Sequence, residues 1–258
     1  MSKIARAFAQ GNAFIPFVTC GDPTIETTEA VVRSMAAAGA DLIELGIPFS
    51  DPTAEGPVIQ EASTRALAAG ATTDAIFEMV ARLRQDLDIP LVFMTYANVI
   101  FSYGIERFAQ RAEEAGIDGI ILPDVPFEER EEFAPAFAAH GIDLIAMIAP
   151  TSEDRIATIA REASGFIYLV SSLGVTGVRS QIKTDLEGIV ATIRATTDVP
   201  VAVGFGISTP EQAARMARLA DGAIVGSAIV RILGAQGAQA AGPVGDYVRA
   251  MAEAVHGV

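Results

Sequence analysis

Three segments of the chain open in the same way: AGADLIELG (38–46), AGIDGIILP (115–123) and HGIDLIAMI (140–148) each run glycine, one residue, aspartate, then an apolar stretch of strand length. Glycine at such a point accepts the left-handed conformation that ends a helix, and a short return loop then leads into a buried strand. The pattern recurs because each unit has the same task, to bring the chain back from a helix to a sheet.

The rest of the chain keeps the alternation. Apolar runs at 14–19, 41–46, 91–96, 119–123, 144–148, 166–171, 201–206 and 222–227 alternate with stretches of helical periodicity. The helical stretches are 26–38, 58–69 followed by 74–87, 105–115, 128–139, 153–163, 185–195, one opening at 208 and one from 228. Ser208-Thr209-Pro210-Glu211 reads as a capping box, with Ser208 accepting from an early backbone N–H and Glu211 reaching back. A Gly/Ala-rich loop is expected at 234–242 before a terminal helix to about 254, and a short helix around 2–10 precedes the first strand. Nearly continuous apolar strands alternating with amphipathic helices imply a parallel sheet covered by helices. About eight such units in 258 residues fit the α/β class as a (β/α)8 TIM barrel, a single domain over 1–258 with an extra N-terminal helix. An open doubly wound sheet is the alternative.

Composition narrows the partners. The net charge of -14 argues against nucleic acid and anionic membrane, whose phosphates need clustered Lys and Arg. No apolar run approaches the ~20 residues that span a bilayer, and MSKIARAFAQ lacks a signal-peptide core, so a soluble, cytoplasmic protein is expected. The single Cys20 excludes an intramolecular disulfide and reads as a packed side chain.

In a barrel of this kind, chemistry sits where strands end and loops begin. The stretch DLIELGIPFSDPTAEGP (41–57) stands out there. Its alternation puts Leu42, Glu44 and Gly46 on one face and Ile43 and Leu45 on the other, so a carboxylate sits mid-strand among apolar residues. A stiff loop with three prolines comes next and carries Asp51 and Glu55. Glu44 is either one half of a structural ion pair or a catalytic acid. Other candidates at strand ends are Tyr96, Asp124, Tyr168 and Ser171, with Phe17, Phe49, Met94 and Phe205 suited to a flat apolar substrate portion.

Gly204 to Gly206 after the seventh strand, and Gly226 with Ser227 after the eighth, form a candidate phosphate cradle. Glycine admits close backbone approach, and the helix N-termini beyond these strands present free N–H groups to an anion. The glycine-rich stretch GVTGVRSQIK (174–183) reads as a lid, or else as an ordinary surface loop. Absent residues narrow the chemistry further. Lys3 and Lys183 are the only lysines and neither lies on a strand, which argues against a Schiff-base or pyridoxal phosphate enzyme. His140 precedes a strand and His256 lies in the tail, so a histidine metal site is not expected. Carboxylate and tyrosine acid/base chemistry on a phosphorylated substrate remains.

PFVTCGDP (16–23), ELGIPFSDP (44–52), YAN (96–98), DVP (124–126), GVTG (174–177), GFGIS (204–208) and GSAIV (226–230) fall in order over nearly the whole chain. In these motifs the chain resembles the alpha subunit of tryptophan synthase. The resemblance implies a lyase that cleaves indole-3-glycerol phosphate to indole and glyceraldehyde 3-phosphate, with no cofactor in this chain. It also implies a pyridoxal-phosphate beta subunit as partner, in an alpha2-beta2 assembly. A stand-alone indole-3-glycerol-phosphate lyase and a mainly regulatory partner of the beta subunit are the alternatives.

Carried over position by position, the resemblance makes Glu44 the principal acid/base and Tyr168 a substrate-facing tyrosine. Gly177, Gly206, Gly226 and Ser227 become phosphate contacts, with Phe205 beside them; Phe17, from its apolar position at the strand ends, is expected to line the substrate site. Thr176 matches a lid threonine that pairs with the second catalytic carboxylate. There the chain departs from the family pattern: Glu55 stands where well-studied members carry aspartate. Glutamate keeps the charge and adds one methylene, and Glu55 is expected to serve in that role. The loop 48–57, with Asn98 and Asp124, is expected to face the beta subunit.

Overall fold

The structure is a computed structural model that describes residues 3–151, 153–171, 185–204 and 206–258, residue 153 by its backbone alone. Nine parallel strand segments form the sheet: β1 (Ala13–Thr19), β2 (Ile43–Gly46), β3 (Leu91–Met94), β4 (Gly119–Ile121), β5 (Asp143–Leu144), β6 (Ala146–Ile148), β7 (Ile167–Val170), β8 (Val201–Gly204) and β9 (Gly222–Val225). Their order is β5-β4-β3-β2-β1-β9-β8-β7-β6. The two segments at the ends of that order are separated only by Ile145, whose N–H donates to Ile120 O at 2.8 Å. They are two halves of one strand, one paired to β4 and the other to β7, so the sheet closes on itself as an eight-stranded barrel.

Alternation divides the core in two. Ile43 and Leu45 pack outward against the helices, while Leu42, Ile15, Phe17, Val92, Met94, Tyr168, Ala202 and Ile224 share the barrel interior. Register places Glu44 beside Phe17 of β1 and Val92 of β3. The N-terminal helix, Lys3–Ala7, sends Ile4 into that interior cluster, and Phe8 stacks on Phe166 at 5.9 Å between ring centroids. One end of the barrel is therefore filled with apolar side chains.

Aspartates just before three of the strands, two of them from the repeat, have a task beyond turning the chain. Asp41 accepts the N–H of Phe14 at 2.7 Å, Asp118 that of Leu91 at 3.0 Å, and Asp221 that of Val201 at 2.8 Å. Each carboxylate, placed before one strand, ties down the start of its neighbour and satisfies a backbone donor at the sheet end. Each also meets a basic side chain: His256, Arg84 and Arg194 respectively. The repeat's glycines, Gly39, Gly116 and Gly141, all have positive φ, as a helix-ending role requires.

Four local expectations are corrected. The capping box is shifted by one residue: Thr209 is the N-cap of helix Pro210–Leu219, and Gln212, not Glu211, reaches back. Pro210 dictates this, because proline fits the first helical position, where no N–H is needed, and the cap must precede it. The Gly/Ala loop at 234–242 is largely helical. Helix Ser227–Gln236 runs into it, a 3-10 turn covers Gly237–Gln239, and the terminal helix spans Ala241–His256. Alanine favours helix, and Val244, Val248, Met251 and Val255 supply a buried stripe that composition disguised. The helix expected at 128–139 is a 3-10 segment, Phe127–Glu132, followed by Ala134–Ala139, since Pro135 cannot sit in a helix interior. Helix Ala97–Tyr103 is an addition to the expected elements; its seven residues are too few for a periodic signal. Among the described residues no helix is long and apolar enough to cross a membrane.

Candidate active site

At the end of the barrel opposite the N-terminal helix, a cavity opens to solvent between the strand ends, with about 620 Å³ of free space counting its mouth. Its walls are apolar on the β1, β3 and β9 side, where Phe17, Met94 and Ile224 enter, and Ile59 and Pro123 extend them. Glu44, Glu55 and Tyr168 bring polar atoms to it, and Gly206, Ile207, Gly226 and Ser227 form the far wall.

Glu44 is 1 % exposed and its Oε1 has no hydrogen-bond partner among the described residues. Burial, reinforced by the nearby charge of Glu55, raises its pKa to about 8. Glu55 is 8 % exposed, and its Oε2 is likewise without a partner. Burial lifts its pKa to about 7, opposed by a hydrogen bond from the Tyr96 hydroxyl. An orphaned buried acceptor costs roughly 1–3 kcal/mol, so two of them facing one cavity mark a place built for something other than stability.

The scaffold fixes both acids. Glu44 is held by pairing on both sides of β2. Glu55 ends the proline loop, and its carbonyl accepts from Gln60 Nε2 at 2.8 Å on the adjoining helix Pro57–Ala68. Tyr96 supports the same loop: its hydroxyl accepts from Ala54 N at 3.3 Å and its ring lies 5.2 Å from that of Phe49. Burial beside Glu55 pushes the Tyr96 phenol well above its usual range, so it stays a donor. Across the barrel, burial and the neighbouring Glu44 raise the Tyr168 phenol in the same way. A Cβ at position 204 would overlap the Tyr168 hydroxyl, and glycine there is what lets the ring lie over β8.

The far wall is built from backbone. Gly206 has φ 79°, which a side chain would strain, and Gly226 is the N-cap of helix Ser227–Gln236 with no side-chain cap. The first N–H groups of that helix have no capping side chain, and its N-cap Gly226 and first residue Ser227 line the cavity. By contrast, helix Pro210–Leu219 is closed by Thr209 and Gln212.

Comparison with known proteins identifies the family. A family model described as "Tryptophan synthase alpha chain" matches residues 5–256. The chain belongs to that family. Among tryptophan synthase alpha chains, that of Lacticaseibacillus casei is 47 % identical over 255 residues, covering 99 % of this chain and 96 % of that protein. The protein of Citrifermentans bemidjiense is 50 % identical over 262 residues, covering 99 % and 98 %. Of solved structures, tryptophan synthase subunit alpha from Legionella pneumophila superposes with a TM-score of 0.88 at 36 % identity over the whole of both chains. A chain of Mycobacterium tuberculosis tryptophan synthase does so with 0.89 at 32 %, covering 99 % of this chain and 98 % of that one.

Of the site residues expected by resemblance to the tryptophan synthase alpha family, Glu44, Glu55, Tyr168, Phe17, Gly206, Gly226 and Ser227 all meet at the one cavity. Thr176, Gly177 and Phe205, with the expected lid, lie outside the described residues. Asp124 turns away from the cavity: it is exposed and accepts the Ala97 N–H at 3.1 Å, capping the short helix. Ile59, Pro123, Ile207 and Ile224 line the cavity without standing out in the sequence. Ile224 is found by counting two residues back from Gly226 along a strand, and Pro123 by its place at the end of the apolar run 119–123; Ile59 comes from a helix and carries no signal. His140 pairs with Glu113 at 2.6 Å, away from the cavity.

Proposed function

We propose that this chain is the lyase subunit that cleaves indole-3-glycerol phosphate to indole and D-glyceraldehyde 3-phosphate, working with a tryptophan synthase beta subunit. The observation that carries the reading is the pairing across one cavity of two buried carboxyls with raised pKa and an uncapped helix N-terminus. Membership of the tryptophan synthase alpha family supports it.

The indole portion lies between Phe17, Met94 and Ile59, and the phosphate rests against Gly206, Gly226 and Ser227, with Gly177 and Phe205 completing its contacts. The N-terminus of helix Ser227–Gln236 supplies the main donors, being the uncapped one. Protonated Glu44 delivers its proton to indole C3, which leaves an iminium at the ring nitrogen. The resulting Glu44 carboxylate then takes the proton of the glycerol hydroxyl nearest the ring. The C–C bond breaks, its electron pair restores the indole double bond, and Glu44 is protonated again. A pKa of about 8 suits a group that must give and retake one proton near neutrality. Glu55, with a pKa of about 7, accepts the indole N–H and stabilises the positive ring. Tyr168 packs beside Glu44 against the substrate, and Thr176 takes the role of partner to Glu55 that the family resemblance gives it.

Residues 1–258 act as one barrel domain, with no cofactor of its own. Pyridoxal phosphate belongs to the beta subunit, which meets the rim formed by 48–57, Asn98 and Asp124 in an alpha2-beta2 assembly in the cytoplasm. The test is indole release from indole-3-glycerol phosphate, with and without a beta subunit. Release that rises on adding the beta subunit is expected. High release that the beta subunit leaves unchanged would favour a stand-alone lyase, and no release under either condition defeats the reading.

A further inference from the structure

The backbone that carries Gly206 and Ile207 into the cavity is tied to the terminal helix, on the outside of the barrel. Tyr247, on Ala241–His256, donates its hydroxyl proton to the carbonyl of Ser208 at 2.9 Å. Gln212 binds the same residue from the helix side, its Oε1 accepting from Ser208 N at 2.8 Å, Ser208 Oγ at 3.2 Å and Thr209 N at 3.3 Å. Gln212 N in turn donates to Thr209 Oγ1 at 3.3 Å. The N–H, hydroxyl and carbonyl of Ser208 are thus all engaged with the scaffold. Ser208 works as a knot that fixes the two cavity-lining residues before it, Gly206 and Ile207.

We infer that Tyr247 is a positioning residue for anion binding: its hydroxyl holds the Gly206–Ser208 turn in the conformation that receives the substrate's phosphate. The inference rests on the phosphate reading proposed above. The physical case is one of preorganisation. Gly206 has φ 79°, and glycine there leaves the backbone free to take several other conformations. Each conformation left open in the free protein weakens binding in proportion to its population. Gln212 restrains the turn from the helix it opens, and Tyr247 restrains it from an independent element. Burial raises the Tyr247 phenol to about 12, so its hydroxyl stays a donor across the working pH range.

The simpler alternative is that the hydrogen bond only fastens the terminal helix to the barrel. The two roles separate in their readouts. Tyr247→Phe keeps the ring and removes the hydroxyl, and is compared with the unaltered chain by calorimetric titration with inorganic phosphate and with glycerol 3-phosphate. Steady-state kinetics in the complex with the beta subunit and thermal melts accompany it. The expected result is a Kd for both anions, and a KM for indole-3-glycerol phosphate, raised by about 3- to 10-fold, the weight of one hydrogen bond. In the same variant kcat stays within about twofold and its pH profile does not move, because the acids across the cavity are untouched. Unchanged anion affinity overturns the inference, whether or not the melting temperature falls. If Tyr247→Phe proves too unstable to titrate alone, the titration is run on its complex with the beta subunit below the melting temperature, and anion affinity equal to that of the unaltered complex would also overturn it. If the unaltered chain binds neither anion, the phosphate reading fails and takes this inference with it. If the unaltered chain binds and Tyr247→Phe binds equally well, the reading stands and only the role of Tyr247 falls.

Discussion

The two ends of the barrel use carboxylates for opposite purposes. Where the strands begin, Asp41, Asp118 and Asp221 each accept a neighbouring strand's N–H and each meet a basic partner. Around the cavity at the other end, Glu44 on β2 and Glu55 on the loop beyond it are more deeply buried, and each keeps a carboxylate oxygen without a partner among the described residues. The hydroxyls of Thr19 and Thr95, also buried and unpartnered among the described residues, lie at the ends of β1 and β3. Satisfied carboxylates stabilise a fold, whereas unsatisfied ones are costly and persist only where a reaction needs a group of altered pKa. Placing the two kinds at opposite ends lets the start of the barrel offset the strain of its finish.

Substitutions at each end test that division, and the largest effect is expected at Glu44. Glu44→Gln should cut turnover by about 10²–10⁴-fold while leaving the fold and substrate binding in place; near-normal indole release would return Glu44 to a structural role. At the other end, Arg84→Met removes the partner of Asp118, and with it the guanidinium that binds the carbonyls of Gly116, Leu87 and Ile89. Urea denaturation should show a loss of about 3 kcal/mol with kcat per folded molecule unchanged. A fall in kcat at unchanged stability would mean that the two ends are not separable.

Glu55 gives the next effect. Glu55→Ala should lower kcat by roughly 10²-fold, the lower range for an acid/base or charge-stabilising group, and Glu55→Asp should retain most of it. Should alanine cost nothing, Glu55 is a loop acid and Glu44 acts alone.

The most gradual and most diagnostic effect is in the pH dependence of stability. Both acids titrate higher in the folded chain, at about 8 and about 7, than the ordinary 4.5. Between those values the folded state holds the extra proton, so their contribution to stability is greatest at low pH and is lost as pH rises. Comparing urea midpoints of the unaltered chain and Glu44→Gln isolates one group. The glutamine variant should gain relative stability from pH 4.5 to about 8, by up to about 1.4 kcal/mol per pH unit, and level off beyond. A difference that stays flat with pH would show that Glu44 titrates normally.

Much of the architecture and the site is legible along the chain. Period-two alternation places Glu44 on the interior face with Leu42, and the glycine-aspartate repeat announces the strands. The ordered motifs point to the family and hold five of the seven expected residues that meet at one cavity, Glu55 and Tyr168 lying outside them. Where local rules compete, reading fails by small amounts: Thr209 displaces Ser208 as the cap because Pro210 comes next, and alanines hide a helix inside an apparent loop.

The order and kind of the elements are written in the chain, because periodicity, proline and glycine act within a few residues of themselves. The state of each polar group is set only once the barrel has closed. Asp41 and Glu44 are three residues apart, yet one is bonded and the other orphaned, since Asp41 meets the Phe14 N–H and His256 at the start of the sheet while Glu44 faces the cavity inside the barrel. The Tyr96 hydroxyl reaches the loop at Ala54, 42 residues away, and Tyr247 reaches Ser208 across 39. Desolvation and hydrogen bonding set a group's pKa and its use, and both are properties of its neighbours in space.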